Sequence, residues 1–284
     1  MLDLYPLARD KFIPQSVRSS LICRYIDFLH FSSNFAQKPD EEKLIPPQTL
    51  NFVGGGDFKN IGNEFFNHCL KYGNVQPDDR VLEVGCGIGR IALPFTKYLS
   101  KKGGYWGMDI VKEGIYFCQK MYSNKYPNFN FKVADVYNKA YYPEGRFQPH
   151  EYPFPYEDSF FDFIFLTSVF THMYLKDVDH YLSEISRILK PGKKCLITYF
   201  ILNSETDHNI QAKKSTLDFK YPIEGGWTTE ELVPEAAIAC EETIIRQMYQ
   251  KYNLKIDEPI LYGAWSGREQ FVSFQDIIVA TKVN

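Results

Sequence analysis

VLEVGCGIGR, Val81 to Arg90, sets an apolar run against three glycines at every second position, Gly85, Gly87 and Gly89. A glycine-rich turn after a short buried strand lets backbone approach a nucleotide-like ligand closely. Outward from this turn, strand and helix patterns alternate. Ile88, Ala92, Phe95 and Leu99 recur at helical spacing. Gly103-Gly104 then breaks the chain, and Tyr105 to Met108 make a second strand ending at Asp109. Ile115, Cys118 and Met121-Tyr122 line the next helix. Phe129, Phe131 and Val133 alternate as a third strand ending at Asp135, and Phe161 to Leu166 make a fourth. Val178, Tyr181-Leu182, Ile185 and Ile188-Leu189 form an amphipathic helix stopped by Pro191-Gly192. Cys195 to Leu202 is a fifth strand. A helix on Ile244-Ile245, Met248-Tyr249 and Tyr252 precedes two last strands, Ile256 to Leu261 and Ile277 to Ala280. This rhythm predicts an α/β fold, a mostly parallel sheet with helices on both faces. Ligands bind such sheets beyond the carboxyl ends of the strands.

The turn does not suit a dinucleotide. That fingerprint, G-x-G-x-x-G, needs a third glycine where Arg90 stands. Glu83, two residues before Gly85, would repel a pyrophosphate but suits an ammonium group. S-adenosylmethionine (SAM) carries an α-amino group, an α-carboxylate and a sulfonium, and no phosphate. The backbone N–H groups of the turn can meet its carboxylate, with Arg90 assisting. Asp109 can accept both ribose hydroxyls, a position equally expected for NAD. Asp135 can accept the adenine amine, the Val136 N–H can meet a ring nitrogen, and Ile110 can press on the adenine face.

The remainder of the chain narrows the function classes. Its 284 residues hold one large α/β domain or a core with a cap. The net charge of −3 and the lack of a Lys/Arg cluster argue against a nucleic-acid backbone as main partner. Cys23, Cys69, Cys86, Cys118, Cys195 and Cys240 are scattered without a C-x-x-C pair, which reads as buried, reduced thiols in a cytoplasmic protein. No His/Cys spacing marks a metal site, and no metal is expected. No basic-then-apolar leader is read at the N-terminus, and no apolar run approaches the roughly 20 residues of a membrane helix. Aromatic residues reach 16% and crowd Tyr137 to Phe165, which predicts an aromatic-walled pocket or cap. Three segments break the strand–helix rhythm: residues 1–60, read as an N-terminal cap, and insertions at 136–158 and 203–235 in a core of 61–284. All three are expected at one edge of the sheet.

VLEVGCGIGR, YWGMDIV, FKVADVYN, FDFIFLTSVFTHM and ISRILKPGKKCLITYF together resemble the successive motifs of class I SAM-dependent methyltransferases. The resemblance runs from about Val75 to Leu202, and FQDIIVATK resembles the closing strand of that fold. It implies a three-layer, Rossmann-like sheet of seven strands in the order 3-2-1-4-5-7-6, the last antiparallel, and it implies methyl transfer. By resemblance Glu83, Gly85, Cys86, Gly87 and Arg90 hold the methionine end of SAM. Asp109 and Ile110 take the ribose and adenine face, Asp135 and Val136 the adenine, and the Thr167 backbone passes close by. The chain departs from many relatives at Lys193 in LKPGK, where a second glycine is usual.

Methyl transfer is an in-line displacement, so the protein positions, desolvates and sometimes deprotonates the nucleophile. The loop Ser168 to Met173 should face the methyl group, with His172 as candidate base or as a mere cap of the next helix. In LYGAWSGREQF, Tyr262 and Trp265 are candidate substrate contacts and Arg268 a candidate for binding a carboxylate or sugar hydroxyl. Trp227 is a candidate lid residue, and Phe58, beside GGGDF, a candidate cation–π shield for the sulfonium. The expected substrate is a small molecule, natural product or peptide terminus, methylated on oxygen. N- or C-methylation of a small molecule or sugar is the alternative. A non-catalytic SAM-binding partner or sensor is the rival of another class, and a nicotinamide dehydrogenase is disfavoured by Arg90 and Glu83. The sequence leaves the oligomeric state open.

Overall fold

The computed structural model describes residues 15–32, 37–50, 56–139 and 141–283. Gly54 and Gly55 of GGGDF, and residues 1–14, 33–36 and 51–53 of the expected N-terminal cap, lie outside them. Seven strands form the main sheet: β1 (Arg80–Val84), β2 (Gly104–Asp109), β3 (Phe129–Val133), β4 (Phe161–Leu166), β5 (Leu189–Tyr199), β10 (Leu254–Ile256) and β11 (Asp276–Lys282). Their order is β3-β2-β1-β4-β5-β11-β10. β1 to β5 pair in parallel, and β11 runs against β5 and β10. This is the topology implied by the sequence motifs.

Strand alternation splits the core in two. Leu82, Ile164, Ile197 and Ile278 face one layer, made by helices α5 (Leu175–Ile188) and α7 (Glu242–Lys251). Val81, Phe163, Leu196 and Ile277 face the other, made by α1 (Gln15–Phe31), α2 (Phe58–Lys71), α3 (Ala92–Tyr98) and α4 (Lys112–Cys118). In α5 the apolar residues Val178, Tyr181, Leu182, Ile185 and Ile188 fall on one stripe, so burying them fixes the helix on the sheet.

The aromatic crowd is core, not pocket wall. Tyr152, Phe154, Phe161, Phe163 and Phe165 are all buried, whereas Tyr137 and Tyr141 are exposed. The connection between β3 and β4 is pinned to α5 by Arg187, which donates to the carbonyls of Phe154 (2.9 Å) and Tyr156 (2.8 Å) and pairs with Glu184. The Glu184 carboxylate in turn accepts the Phe154 N–H at 2.6 Å.

Three other expectations are corrected. Residues 203–235, expected as an insertion outside the strand–helix rhythm, hold regular elements of their own. They carry α6 (Ser204–Gln211), β7 (Tyr221–Ile223) and β8 (Gly226–Thr228), and with β6 (Ile201–Leu202) and β9 (Ile238–Glu241) they build a second sheet, β6-β9-β8-β7. The signal was the hairpin YPI-EG-GWT, whose two-residue turn puts Gly225 at φ 73°. The penultimate strand ends at Ile256, and Leu261 makes only an isolated bridge with Ile277. Likewise β5 begins at Leu189, because Gly192 at φ 75° lets the chain enter the sheet without a full loop.

Asp276 ties the two sheets together. Buried at the start of β11, it accepts the N–H groups of Ile201 (2.6 Å) and Gly263 (2.6 Å) and the Trp265 indole Nε1–H (2.8 Å). Burial pushes its carboxyl up to about 6. Trp265 is fully enclosed against Phe200 and Phe219, so its ring is core and offers no surface to a substrate. Trp265→Phe removes one donor from Asp276. It should cost about 1–2 kcal/mol in urea unfolding.

Candidate functional site

The glycine turn is shaped by sterics. Gly85, Gly87 and Gly89 have φ of 82°, 54° and 83°, a region that side chains rarely enter. A Cβ on Gly85 would lie 2.3 Å from Val169 Cγ2, and one on Gly89 would lie 3.0 Å from Cys118 Sγ. Helix α4 closes on the turn from beside, since a Cβ on Gly114 would meet the Gly87 carbonyl oxygen at 2.5 Å. Four of the turn's N–H groups are taken up within the protein. Those of Gly85 and Cys86 donate to the Met108 carbonyl (2.8 and 3.2 Å), that of Gly87 to Asp109 Oδ2 (2.7 Å) and that of Gly89 to the Cys86 carbonyl (2.9 Å). The turn therefore offers a ligand close backbone approach rather than a ring of unpaired donors.

The three acids sit at successive strand ends, in different environments. Glu83 is 2% exposed and accepts the Tyr105 hydroxyl. Burial pushes its carboxyl up to about 8. Asp109, at the end of β2, also accepts the Val111 N–H at 2.8 Å, and burial raises its pKa against these bonds. Asp135 pairs with the Arg146 guanidinium and accepts the Arg146 N–H at 3.1 Å, which holds it below the usual carboxylate range. Ile110 and Thr167 are half-buried, Cys86 and Val136 are buried, and Arg90 is half-buried.

Glu83 gives a pH test. A carboxyl raised to about 8 keeps its proton in the folded chain where the unfolded chain, with a pKa near 4.3, has lost it. Folding then binds a proton, so this contribution is complete only at low pH and is lost as pH rises towards 8. The melting temperature of the wild type should fall relative to Glu83→Gln between about pH 5 and 8, measured by differential scanning fluorimetry of ligand-free chains. A rise would contradict the raised pKa.

The turn after β4 abuts the glycine turn through the Val169–Gly85 contact. Ser168 opens it with φ 55°, uncommon for a residue with a side chain. The Ser168 N–H donates to Thr198 Oγ1 at 2.8 Å, and Gln275 Nε2 donates to Ser168 Oγ at 2.8 Å. Four residues on, His172 is exposed, with its Nδ1 2.8 Å from the Glu235 carbonyl oxygen. The short turn between β8 and β9 thus contacts His172. Neither Ser168, Thr198 nor Gln275 was singled out from sequence; Ser168 carries no pattern that announces a left-handed backbone.

The other predicted contacts gather elsewhere. Trp227 lines an open groove of about 550 Å³ with Asn203, Asp207, Glu242 and Arg246. The Tyr262 hydroxyl donates to Glu242 at 2.8 Å. Arg268 stacks 4.0 Å from the Tyr262 ring centroid and is tied to Glu205 (2.5 Å) and Asn203 (3.0 Å), leaving its side chain 9% exposed. No residue of the glycine turn or of Ser168–His172 lines this groove. Phe58 is buried at the start of α2, whose N-cap Asp57 accepts the Asn60 N–H at 2.8 Å. The structure so sets Val169 of the turn after β4 against Gly85, and places Trp227, Tyr262, Arg268 and the His172 ring contact on the second sheet's side. Among the described residues there is no group of three or more His, Cys, Asp or Glu able to hold a metal. None of their helices is long and apolar enough to cross a membrane.

Comparison with known proteins agrees with this geometry. Residues 76–253 match the family model described as a methyltransferase domain. The chain is 28% identical over 131 residues to the 2-phytyl-1,4-naphtoquinone methyltransferase of Synechocystis sp., covering 46% of this chain and 49% of that protein. It is 27% identical over 139 residues to the ubiquinone/menaquinone biosynthesis C-methyltransferase of Wigglesworthia glossinidia brevipalpis, covering 49% and 50%. The chain spans about half the length of these curated relatives. The crystal structure of the PH0226 protein from Pyrococcus horikoshii shares the fold, with a TM-score of 0.53 at 14% identity over 89% of this chain and 99% of that one. A match over more than half of its length, on a sheet of the same strand order, places this chain in the class I SAM-dependent methyltransferase family.

Proposed function

We infer that the chain transfers the methyl group of SAM to a small, largely apolar acceptor whose ring hydroxyl is ionised by His172. One observation carries the base. A carbonyl oxygen only accepts, so the 2.8 Å contact with Glu235 keeps the proton on Nδ1 and leaves the Nε2 lone pair for a substrate hydroxyl.

The residues present fit the cofactor. The Gly85 face admits backbone-close binding, Asp109 keeps lone pairs for a ribose, and Glu83 lies beneath the turn where an ammonium would draw it towards ionisation. When bound, SAM supplies an activated methyl group on a sulfonium leaving group. Val169 keeps the acceptor turn against the cofactor turn, and His172 Nε2 takes the acceptor's proton. Apolar acceptors are supported by the exposed Phe271, Val272 and Phe274, which lead into Gln275 and its bond to Ser168. The names of the two curated relatives, which concern quinones, point the same way.

The test is to incubate the full chain with methyl-labelled SAM and a panel of phenols, naphthols, carboxylic acids and short peptides, and to read transfer by mass spectrometry. Transfer to the hydroxylated rings alone is the expected result. Transfer only to carboxylates would remove the need for His172. Binding of S-adenosylhomocysteine (SAH) without any transfer would favour a sensor.

A further inference from the structure

We propose that Ser168 is a specificity-determining residue that holds the acceptor's oxygen and so directs the methyl group to the neighbouring ring carbon. This rests on the preceding reading of a ring hydroxyl ionised by His172.

Ser168 is exposed at the carboxyl end of β4, one residue before Val169, whose Cγ2 blocks any Cβ at Gly85 by lying 2.3 Å from it. Its geometry is over-determined. The backbone sits at φ 55°, its N–H is spent on Thr198 Oγ1 at 2.8 Å, and its Oγ accepts from Gln275 Nε2 at 2.8 Å. Thr198 is fully buried in β5, and Gln275 precedes β11, so two strands fix one serine. With an Oγ lone pair taken, the hydroxyl proton is what Ser168 has left to give. Among the described residues no acceptor takes it. Strain held by such bracing at a strand end is characteristic of functional positions.

A fixed donor there has a chemical consequence. His172 Nε2 removes the hydroxyl proton of the acceptor, and the resulting anion spreads its charge between oxygen and the conjugated ring carbon. A hydrogen bond from Ser168 Oγ–H occupies the oxygen lone pair that would otherwise attack. The ring carbon then forms the bond to the methyl carbon while the carbon–sulfur bond breaks, its electron pair leaving with sulfur as SAH. The carbon sheds its own hydrogen to water as a proton, which restores the ring. Without that donor the oxygen is the better nucleophile and the product is the ether.

The experiment uses Ser168→Gly, which removes the hydroxyl and relieves the positive φ, so the variant keeps its fold. Gln275→Leu is the second variant, removing the group that orients the serine. Wild type and variants are given SAM and 1-naphthol, and ring-methylated and ether products are separated by chromatography and assigned by NMR. The wild type should give mainly ring methylation. Ser168→Gly should raise the ether-to-ring ratio about tenfold, and Gln275→Leu should move it the same way by less. In a second readout, the SAH-loaded wild type should bind 1-naphthol several-fold more tightly than 1-methylnaphthalene, which has no oxygen to accept from Ser168, and Ser168→Gly should lose much of that preference with SAH affinity unchanged. An unchanged product ratio in Ser168→Gly, or a wild type that yields only ether, overturns the role of Ser168 and leaves the methyltransferase reading standing. Failure of the wild type to bind SAH, or to methylate any hydroxylated ring, overturns both.

Discussion

His172→Ala should lower kcat by about 10²-fold or more with a phenolic acceptor at neutral pH, and leave SAH affinity within about twofold of wild type. The reason lies in what each ring nitrogen touches. Nδ1 is committed to the Glu235 carbonyl at 2.8 Å, and that contact orients the ring from the second sheet. Alanine removes both the base and this link. His172→Gln separates them, because its amide can still donate to Glu235 yet takes no proton. Both variants should therefore lose the same factor. The loss should shrink as pH rises towards the acceptor's own ionisation, since an acceptor already ionised needs no base. Single-turnover rates across that range test this. A His172→Ala chain with wild-type kcat at neutral pH would remove the base from the proposal, and a loss confined to His172→Ala would make His172 a packing residue.

The sequence disclosed the main sheet, and marked candidates for the cofactor end, because both rest on local signals. Strand runs such as FDFIFL and the paired glycines of VLEVGCGIGR carry their meaning within a few residues, and the strand order follows from the family their motifs resemble. The acids near the ends of β1, β2 and β3 could be named because each lies within two residues of where its apolar run stops. What escaped depends on contacts distant in sequence. Ser168 is braced by Thr198 and Gln275, the latter 107 residues away. Trp265 looks like a pocket residue in LYGAWSGREQF, yet Asp276 and two phenylalanines draw it into the core. The aromatic run after Tyr137 gave its composition but not its direction, and α5 with Arg187 decides which rings turn inward. The second sheet was hidden for another reason. Its strands β7 and β8 have three residues each, too few for a two-residue period to declare itself.

Gly85→Ala should cost at least about 100-fold in SAH affinity and lower the melting temperature by several degrees, through two effects that can be taken apart. The first is backbone strain. At φ 82° an alanine pays on the order of 1–2 kcal/mol that glycine does not. The second is collision. The new Cβ would lie 2.3 Å from Val169 Cγ2, so either the turn after β4 or the glycine turn must shift. Gly192 isolates the first effect: its φ is 75° and nothing lies within 4 Å of an added Cβ. Gly192→Ala should lose a similar amount of stability with SAH affinity unchanged. Val169→Ala isolates the second, because it clears the space a Cβ at position 85 would need. The double variant Gly85→Ala with Val169→Ala should recover part of the affinity lost by Gly85→Ala alone, a coupling that contacting residues show and distant ones do not. Isothermal titration with SAH on the four chains reads it. If the double variant binds no better than Gly85→Ala, the Val169 contact is not what keeps the two turns in register, and the link between cofactor turn and acceptor turn fails with it.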